Sequence, residues 1–241
     1  SKLLRKKKFI ITDISFERYK ILKKLSIKKK LKILCINKDL INDCTKKINL
    51  IGNFQIKNLC LSILAAKLCG VRSKKIDIIL KKIQSVDGRL ELVKKFTNNI
   101  NVFIDYAHTP DALLAATSSL KRHFNNKLSL VFGCGGERDI SKRALMAKVA
   151  LKYCDKIYVT DDNPRNESPA KIRKDITKHL NKKTKEYFNI GNRAKAIHLA
   201  VKNTLHNETI LIAGKGHENF QDYGKKILKV SDKQIIKKIK I

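Results

Sequence analysis

Hydrophobic and polar positions follow two rhythms along this chain. In the second half, compact β-like apolar runs at residues 101–105, 128–132, 156–160, 187–190 and 209–213 are separated by longer stretches. Those stretches, 110–124, 141–151, 169–179 and 193–205, read as helices. Pro110 and Pro169 stand at or near the first turn of two of them, where a missing N–H costs nothing. Strands alternating with helices of about 10–15 residues predict a mostly parallel sheet covered on both faces. In such a sheet the loops at the strands' carboxyl ends share one edge, and ligands sit there.

The first half is less regular. Residues 9–14 and 31–36 read as short strands around a Lys-rich helical stretch at 16–25, and residues 48–50 lead into Gly52. Residues 58–68 are apolar nearly all round, which predicts a buried helix stopped by Gly70. An amphipathic helix over 75–85 precedes a turn at 87–91 and a strand-like run at 90–96. The polar Thr97-Asn98-Asn99 then marks a break, giving two domains, 1–95 and 96–241.

Composition narrows the function. With 43% hydrophobic residues in 241, a sizeable core is available. The net charge of +33 invites a nucleic-acid partner. Its make-up argues against one. Only ten of the 54 basic residues are Arg, Lys is scattered through every segment, aromatics are 6% and Trp is absent. Base reading and single-strand stacking lean on Arg and aromatics. The basic run at 2–8 reads as a solvated end. The six cysteines form no C-x-x-C pair and no Cys/His metal spacing, so no metal site is expected from them, and their scatter fits a reducing cytoplasm. No apolar run approaches the ~18 residues of a membrane span, so no membrane partner is expected.

Candidate chemistry lies in the loops after the strands. Val159–Glu167 reads V-T-D-D-N-P-R-N-E. Asp161, Asp162 and Asn163 can take an ammonium, Pro164 stiffens the turn, and Arg165 can grip a carboxylate with two parallel hydrogen bonds. Read alone, the same residues make a turn and a helix cap. Three companion loops change the balance: D-Y-A-H-T-P-D (105–111), G-C-G-G-E-R-D (133–139) and G-K-G-H-E (214–218). The glycines ahead of Arg138 are expected to let a ligand approach the backbone. Together the loops suit a nucleotide or an amino acid. No G-x-x-x-x-G-K-[ST] and no G-x-G-x-x-G occurs. His108 and His217 read at least as well as loop-tying groups, Asp105 as a strand-end cap, and Cys134 as packing.

D-Y-A-H-T-P-D, F-G-C-G-G-E-R-D, K-R-x-L-M, T-D-D-N-P-R and A-G-K-G-H-E, in this order, resemble the Mur ligases, and within them the branch that adds meso-diaminopimelate. G-x-F-x-x-x-N (Gly52, Phe54, Asn58) and G-R-x-E (Gly88, Arg89, Glu91) resemble the end of that family's central, ATP-binding domain. The resemblance implies an α/β fold, with a Rossmann-like carboxy-terminal domain preceded by a truncated remnant of the central domain. It implies a reaction in which ATP, with Mg2+, activates the D-glutamate carboxylate of UDP-N-acetylmuramoyl dipeptide as an acyl phosphate. The amine of meso-diaminopimelate then attacks it. It assigns Asn58, Arg89, Asp105 and His108 to the nucleotide. It assigns Arg138, Asp162, Asn163, Pro164, Arg165, Gly214 and Glu218 to diaminopimelate. Lys23, in Y-K-I-L-K, matches a lysine that the family carbamylates to support magnesium, and His108 is a second catalytic candidate.

The family's amino-terminal UDP-binding domain and P-loop have no counterpart here, and the first 50 residues resemble a shortened central domain. The expectation is a second polypeptide supplying the P-loop. Two other readings remain open: a degraded ligase that keeps diaminopimelate binding, and a basic binding protein that reuses the fold.

Overall fold

A computed structural model describes residues 8–48, 50–180 and 185–240. Most of the basic run at 2–8, and Asn49 within the 48–50 stretch, lie outside the described residues. The chain divides into two compact units, Ser1–Gln84 and Ser85–Ile241.

The first unit pairs β1 (Phe9–Asp13) in parallel with β2 (Lys32–Ile36), joined by α1 (Tyr19–Lys28). Three helices follow: α2 (Lys38–Lys47), α3 (Asn53–Leu68) and α4 (Ser73–Leu80). Ile36, Cys44, Ile56, Cys60, Ile63, Ile76 and Leu80 form its core. The α2 helix was not expected from the apolar pattern, and Asn37 starts it by accepting a hydrogen bond from the Leu40 N–H at 2.9 Å. Lys23 lies exposed on α1, and Asn58 lies exposed on α3.

The second unit holds a six-stranded sheet in the order β3-β4-β8-β5-β6-β7. Its strands are β3 (Glu91–Lys95), β4 (Asn101–Asp105), β5 (Lys127–Phe132), β6 (Lys156–Val159), β7 (Glu186–Asn189) and β8 (Glu208–Ala213). All pairs are parallel except β3 with β4. That antiparallel pair is why the division falls at Gln84 rather than at residue 95, since β3 hydrogen-bonds into the second unit's sheet. On one face α5 (Pro110–Phe124), α6 (Ser141–Tyr153) and α7 (Pro169–Thr177) pack in a row. The other face carries α8 (Arg193–Lys202) and α9 (Asp232–Lys238). A short hairpin, β9 (Phe220–Asp222) and β10 (Ile227–Lys229), stands apart from the sheet.

Local signals explain these elements. Thr109 caps α5, with its hydroxyl accepting from Ala112 N–H, and Pro110 opens it. Ser168 and Pro169 do the same for α7. Strands β4 and β8 are buried along their whole length, as strands covered on both faces must be. Ile100, Val102, Ile104, Ile210 and Ile212 meet Ala196, Ile197, Ala200, Val201 and Ile236 of α8 and α9 in one cluster.

The chain leaves β4 through α5 for β5, and β8 later fills the place between them. The carboxyl ends of β4, β8, β5 and β6 therefore stand side by side. Arg193, at the start of α8 and fully buried, ties that edge from beneath. It donates to Asp232 at 2.7 and 2.8 Å, to Ala213 O at 3.0 Å and to Asp161 O at 3.4 Å. Both side chains of the Arg193–Asp232 pair are sealed from solvent. Removing one partner strands a buried charge. Asp232→Ala should cost about 3–5 kcal/mol in urea unfolding, whereas a loss under about 1 kcal/mol would mean the pair is solvated.

Candidate functional site

Four loops after β4, β5, β6 and β8 surround a cavity of about 480 Å3. It is lined by Arg138, Asp162, Asn163, Arg165, Gly214 and Glu218, six of the seven residues assigned above to the amino acid. Tyr106, His108, Asp139 and Lys142 also line it. Pro164 does not line the cavity; its carbonyl lies against the loop after β5.

The loops after β5 and β6 touch backbone to backbone. A Cβ at Gly133 would sit 2.2 Å from Thr160 O, and one at Gly136 would sit 1.9 Å from Pro164 O. Gly136 N–H donates to Asn163 O at 2.9 Å. Gly133 and Gly136 thus make room for the neighbouring loop, while Gly135 lines the cavity, where the sequence expects close approach of a ligand. Pattern alone could not say which backbone would come close.

Asp162 is buried, and its Oδ1 accepts from the Asn163 N–H at 2.7 Å. Its Oδ2 is buried without a hydrogen-bond partner among the described residues, and a Cβ at Gly214 would stand 2.6 Å from it. An unpartnered buried carboxylate oxygen is costly, and a ligand cation is one remedy.

Asn163 is committed to the protein. Its Oδ1 accepts from Lys215 Nζ at 2.8 Å and from Asp222 N–H at 3.0 Å, and its Nδ2 donates to Glu218 at 3.2 Å. Lys215, only 1% exposed, also pairs with Glu218 at 2.8 Å and lies over the Phe220 ring. Within A-G-K-G-H-E the sequence gives no sign that Lys215 differs from the many other lysines. Its burial, which decides its role as a brace, has no signature in a chain so rich in Lys.

Arg165 adopts a left-handed backbone, φ 54°, unusual for a side chain other than Gly, Asn or Asp. Its Nη1 donates to Gly136 O at 2.8 Å and to Asn163 O at 3.4 Å, and its Nε stands 4.0 Å from Asp222. Its Nη2 makes no hydrogen bond among the described residues. Arg138 is exposed and makes no hydrogen bond or ion pair among them. The cavity therefore offers two guanidinium groups with donors to spare beside one buried carboxylate oxygen that no described residue meets.

The residues assigned to the nucleotide are placed differently. Asp105 is buried and outside the cavity lining; its two oxygens accept the Leu90 and Ala107 N–H groups, each at 2.7 Å. Burial pushes its carboxyl up, against those donors and Arg89. It acts as the strand-end cap. Arg89 stacks over Tyr106, 4.9 Å from the ring centroid. His108 lines the cavity, with Nδ1 2.9 Å from Tyr106 O. Asn58 and Lys23 belong to the first unit. Burial pushes the Cys134 thiol up to about 12, so it is packing, not a nucleophile.

The α/β architecture and the loop-built cavity define a class before any relative is considered. Residues 88–216, over half of the chain, match the family described as "Mur ligase, glutamate ligase domain". The chain belongs to the Mur ligase family. It is similar to the UDP-N-acetylmuramoyl-L-alanyl-D-glutamate–2,6-diaminopimelate ligase of Rickettsia felis, 41% identical over 199 residues, covering 82% of this chain and 36% of that protein. The ligase of the same name from Haemophilus influenzae is 41% identical over 186 residues, covering 77% of this chain and 38% of that one. A solved structure of a ligase with this name superposes with a TM-score of 0.61 at 26% identity, over 95% of this chain and 52% of that chain. A folylpolyglutamate synthase from Mycobacterium tuberculosis, solved with ADP and AMPPCP, shares the fold at TM-score 0.67 and 16% identity, over 86% of this chain and 52% of that chain. The chain spans little more than a third of the length of these curated relatives.

Two expectations follow from the geometry. Gly136→Ala should lower stability by roughly 1–3 kcal/mol, because the loops must part; unchanged thermal unfolding would show that they are not in contact. Burial pushes the Glu218 carboxyl up, but Lys215, Asn163 and Tyr106 outweigh it and hold it below the ordinary glutamate value. A lowered folded value means Glu218 stabilises the fold above its unfolded pKa, a contribution lost as pH falls through the folded value. Carboxyl NMR should show it titrating low in the native chain and higher in Lys215→Met, whereas an ordinary or raised native value contradicts this electrostatic account.

Proposed function

We propose that the cavity of the second unit is the diaminopimelate site of a peptidoglycan-precursor ligase. In this reading meso-diaminopimelate is joined to UDP-N-acetylmuramoyl-L-alanyl-D-glutamate through an acyl phosphate made with ATP. The observation that carries it is the unpartnered Asp162 Oδ2 beside the spare donors of Arg165 and Arg138 in one cavity. An amino acid's ammonium answers the first and its carboxylate the second. Names of the relatives support the same substrate.

The division of labour follows from charge. Asp162, with Glu218 close by, holds the distal ammonium that diaminopimelate and lysine share. Arg165 reads the distal carboxylate that lysine lacks, and Arg138 adds a second cation. A site built for that carboxylate leaves Arg165 without its partner when lysine binds, which discriminates strongly. Held at the distal end, the acceptor presents its other amine to the acyl phosphate, with orientation supplying much of the rate. The substrates place this chemistry in the cytoplasm.

ATP and Mg2+ fit these residues only in part. Arg89, stacked on Tyr106, and His108 suit the base or ribose end of a nucleotide. Among the described residues no three His, Cys, Asp or Glu side chains gather around a metal, and no P-loop occurs in the sequence. In this reading a P-loop supplied from elsewhere, a second polypeptide being one source, cradles the β- and γ-phosphates and Mg2+.

Calorimetric titration tests the reading. Meso-diaminopimelate should bind in preference to L-lysine, and Arg165→Ala should weaken diaminopimelate by roughly 10- to 100-fold while sparing most of the lysine affinity. Equal binding of both amino acids, or neither, would remove the assignment.

A further inference from the structure

The hairpin of β9 and β10 is absent from every motif used above, yet the residues of the D-D-N-P-R loop lean on it. Gln221 is 3% exposed, and its side-chain amide donates to two successive carbonyls, Asp161 O at 3.1 Å and Asp162 O at 2.9 Å. The Asp222 N–H donates to Asn163 Oδ1 at 3.0 Å, and Asp222 O accepts from the Arg165 N–H at 2.9 Å. The Asp222 carboxylate stands 4.0 Å from Arg165 Nε. Tyr223 donates its hydroxyl to Asp161 at 3.0 Å, and burial with the Asp161 charge pushes its phenol up to about 12, so it remains a donor. Gly224 packs against Arg165 O.

These contacts divide by what they hold. Gln221 fixes the peptide groups on either side of the Asp162 N–Cα–C unit, and so the direction in which Asp162 Oδ2 faces. Asp222 fixes Arg165 at both ends: its carbonyl anchors the left-handed backbone, and its carboxylate lies on the Nε side of the guanidinium. With Nη1 on Gly136 O, that leaves Nη2 with no hydrogen-bond partner among the described residues. We infer that the hairpin is the specificity element of the site, with Gln221 positioning the ammonium-binding carboxylate and Asp222 orienting Arg165 toward the acceptor's distal carboxylate. Neither residue touches the ligand in this account; both act through others. The inference rests on the diaminopimelate reading.

The two roles predict different signatures. Gln221→Met keeps the length and bulk but leaves the Asp162 carbonyl without its donor and the Asp161 carbonyl with Arg193 alone. It should weaken meso-diaminopimelate and L-lysine by the same factor, on the order of tenfold. Asp222→Asn keeps both backbone bonds and removes only the charge. It should weaken diaminopimelate several-fold more than lysine, roughly fivefold in their ratio. Calorimetry on the intact chain and both variants reads these ratios, and thermal unfolding of the same samples reports stability separately. A merely structural hairpin would lower the unfolding temperature while Gln221→Met left both affinities at their native values and Asp222→Asn left the selectivity ratio unchanged, and that result overturns the inference. Selective native binding with an unchanged ratio in Asp222→Asn overturns the Asp222 role and leaves the diaminopimelate assignment standing. A native chain that does not distinguish the two amino acids overturns that assignment, and the hairpin's role with it.

Discussion

The loop after β5 lies on the loop after β6 with no side chain between them, because Gly133 and Gly136 leave room for Thr160 O and Pro164 O. That contact sets where everything else in the cavity can be. It brings the loop bearing Arg138 to the loop bearing Arg165, and lets Gly136 O take the Arg165 guanidinium. Beneath it, Arg193 bonds Asp161 O, in the loop just past β6, and Ala213 O, at the end of β8, and is neutralised by Asp232. The pair would be costly to bury without a partner, so its placement fixes the spacing of two strand ends rather than adding general stability. A rigid floor is what an ion-reading pocket needs, since misaligned donors lose most of their discrimination.

Electrostatics in the cavity follow one plan. Lys215 is spent inside the protein on Glu218 and Asn163, so the neighbouring carboxylate that stays unanswered is Asp162. Arg165 is half spent, on Gly136 O and beside Asp222, and Arg138 is unspent. Asp139 and Lys142 also line the cavity and bring one charge of each sign; beyond them, the buried Asp162 Oδ2 and the spare donors of Arg165 and Arg138 complement an amino acid with an additional carboxylate.

Much of this was legible in the sequence, for identifiable reasons. Thr-Pro-Asp at 109–111 and Ser-Pro at 168–169 announced two helix starts through chemistry confined to one turn. The apolar runs of β4, β5 and β8 announced a buried sheet, because strands covered on both faces carry no polar alternation. The loop residues of the cavity were legible because each follows such a strand. What was lost depends on distance or on short pieces. Arg193 and Asp232 lie 39 residues apart, and nothing local pairs them. The three-residue strands F-Q-D and I-L-K are too short for a period to show, so the hairpin escaped notice. The glycines at 133 and 136 were read as open to a ligand, since a sequence shows that a backbone is bare but not what approaches it. The resemblance assigns Asp105 to a nucleotide, and what its sequence position does not reveal is that its two oxygens hold the backbone of residues 90 and 107. The α2 helix was missed because K-D-L-I-N-D-C-T-K-K gives few apolar positions from which to read a face.

The account stands or falls on where an acceptor's charges go. The most direct measurement is a crystal structure of the chain with meso-diaminopimelate. It should show one carboxylate on Arg165 Nη2 and the adjacent ammonium on Asp162 Oδ2, with Gln221 and Asp222 still on the loop behind them. An amino acid bound elsewhere, or a cavity in which Asp162 Oδ2 stays unmet while the ligand is present, would contradict it.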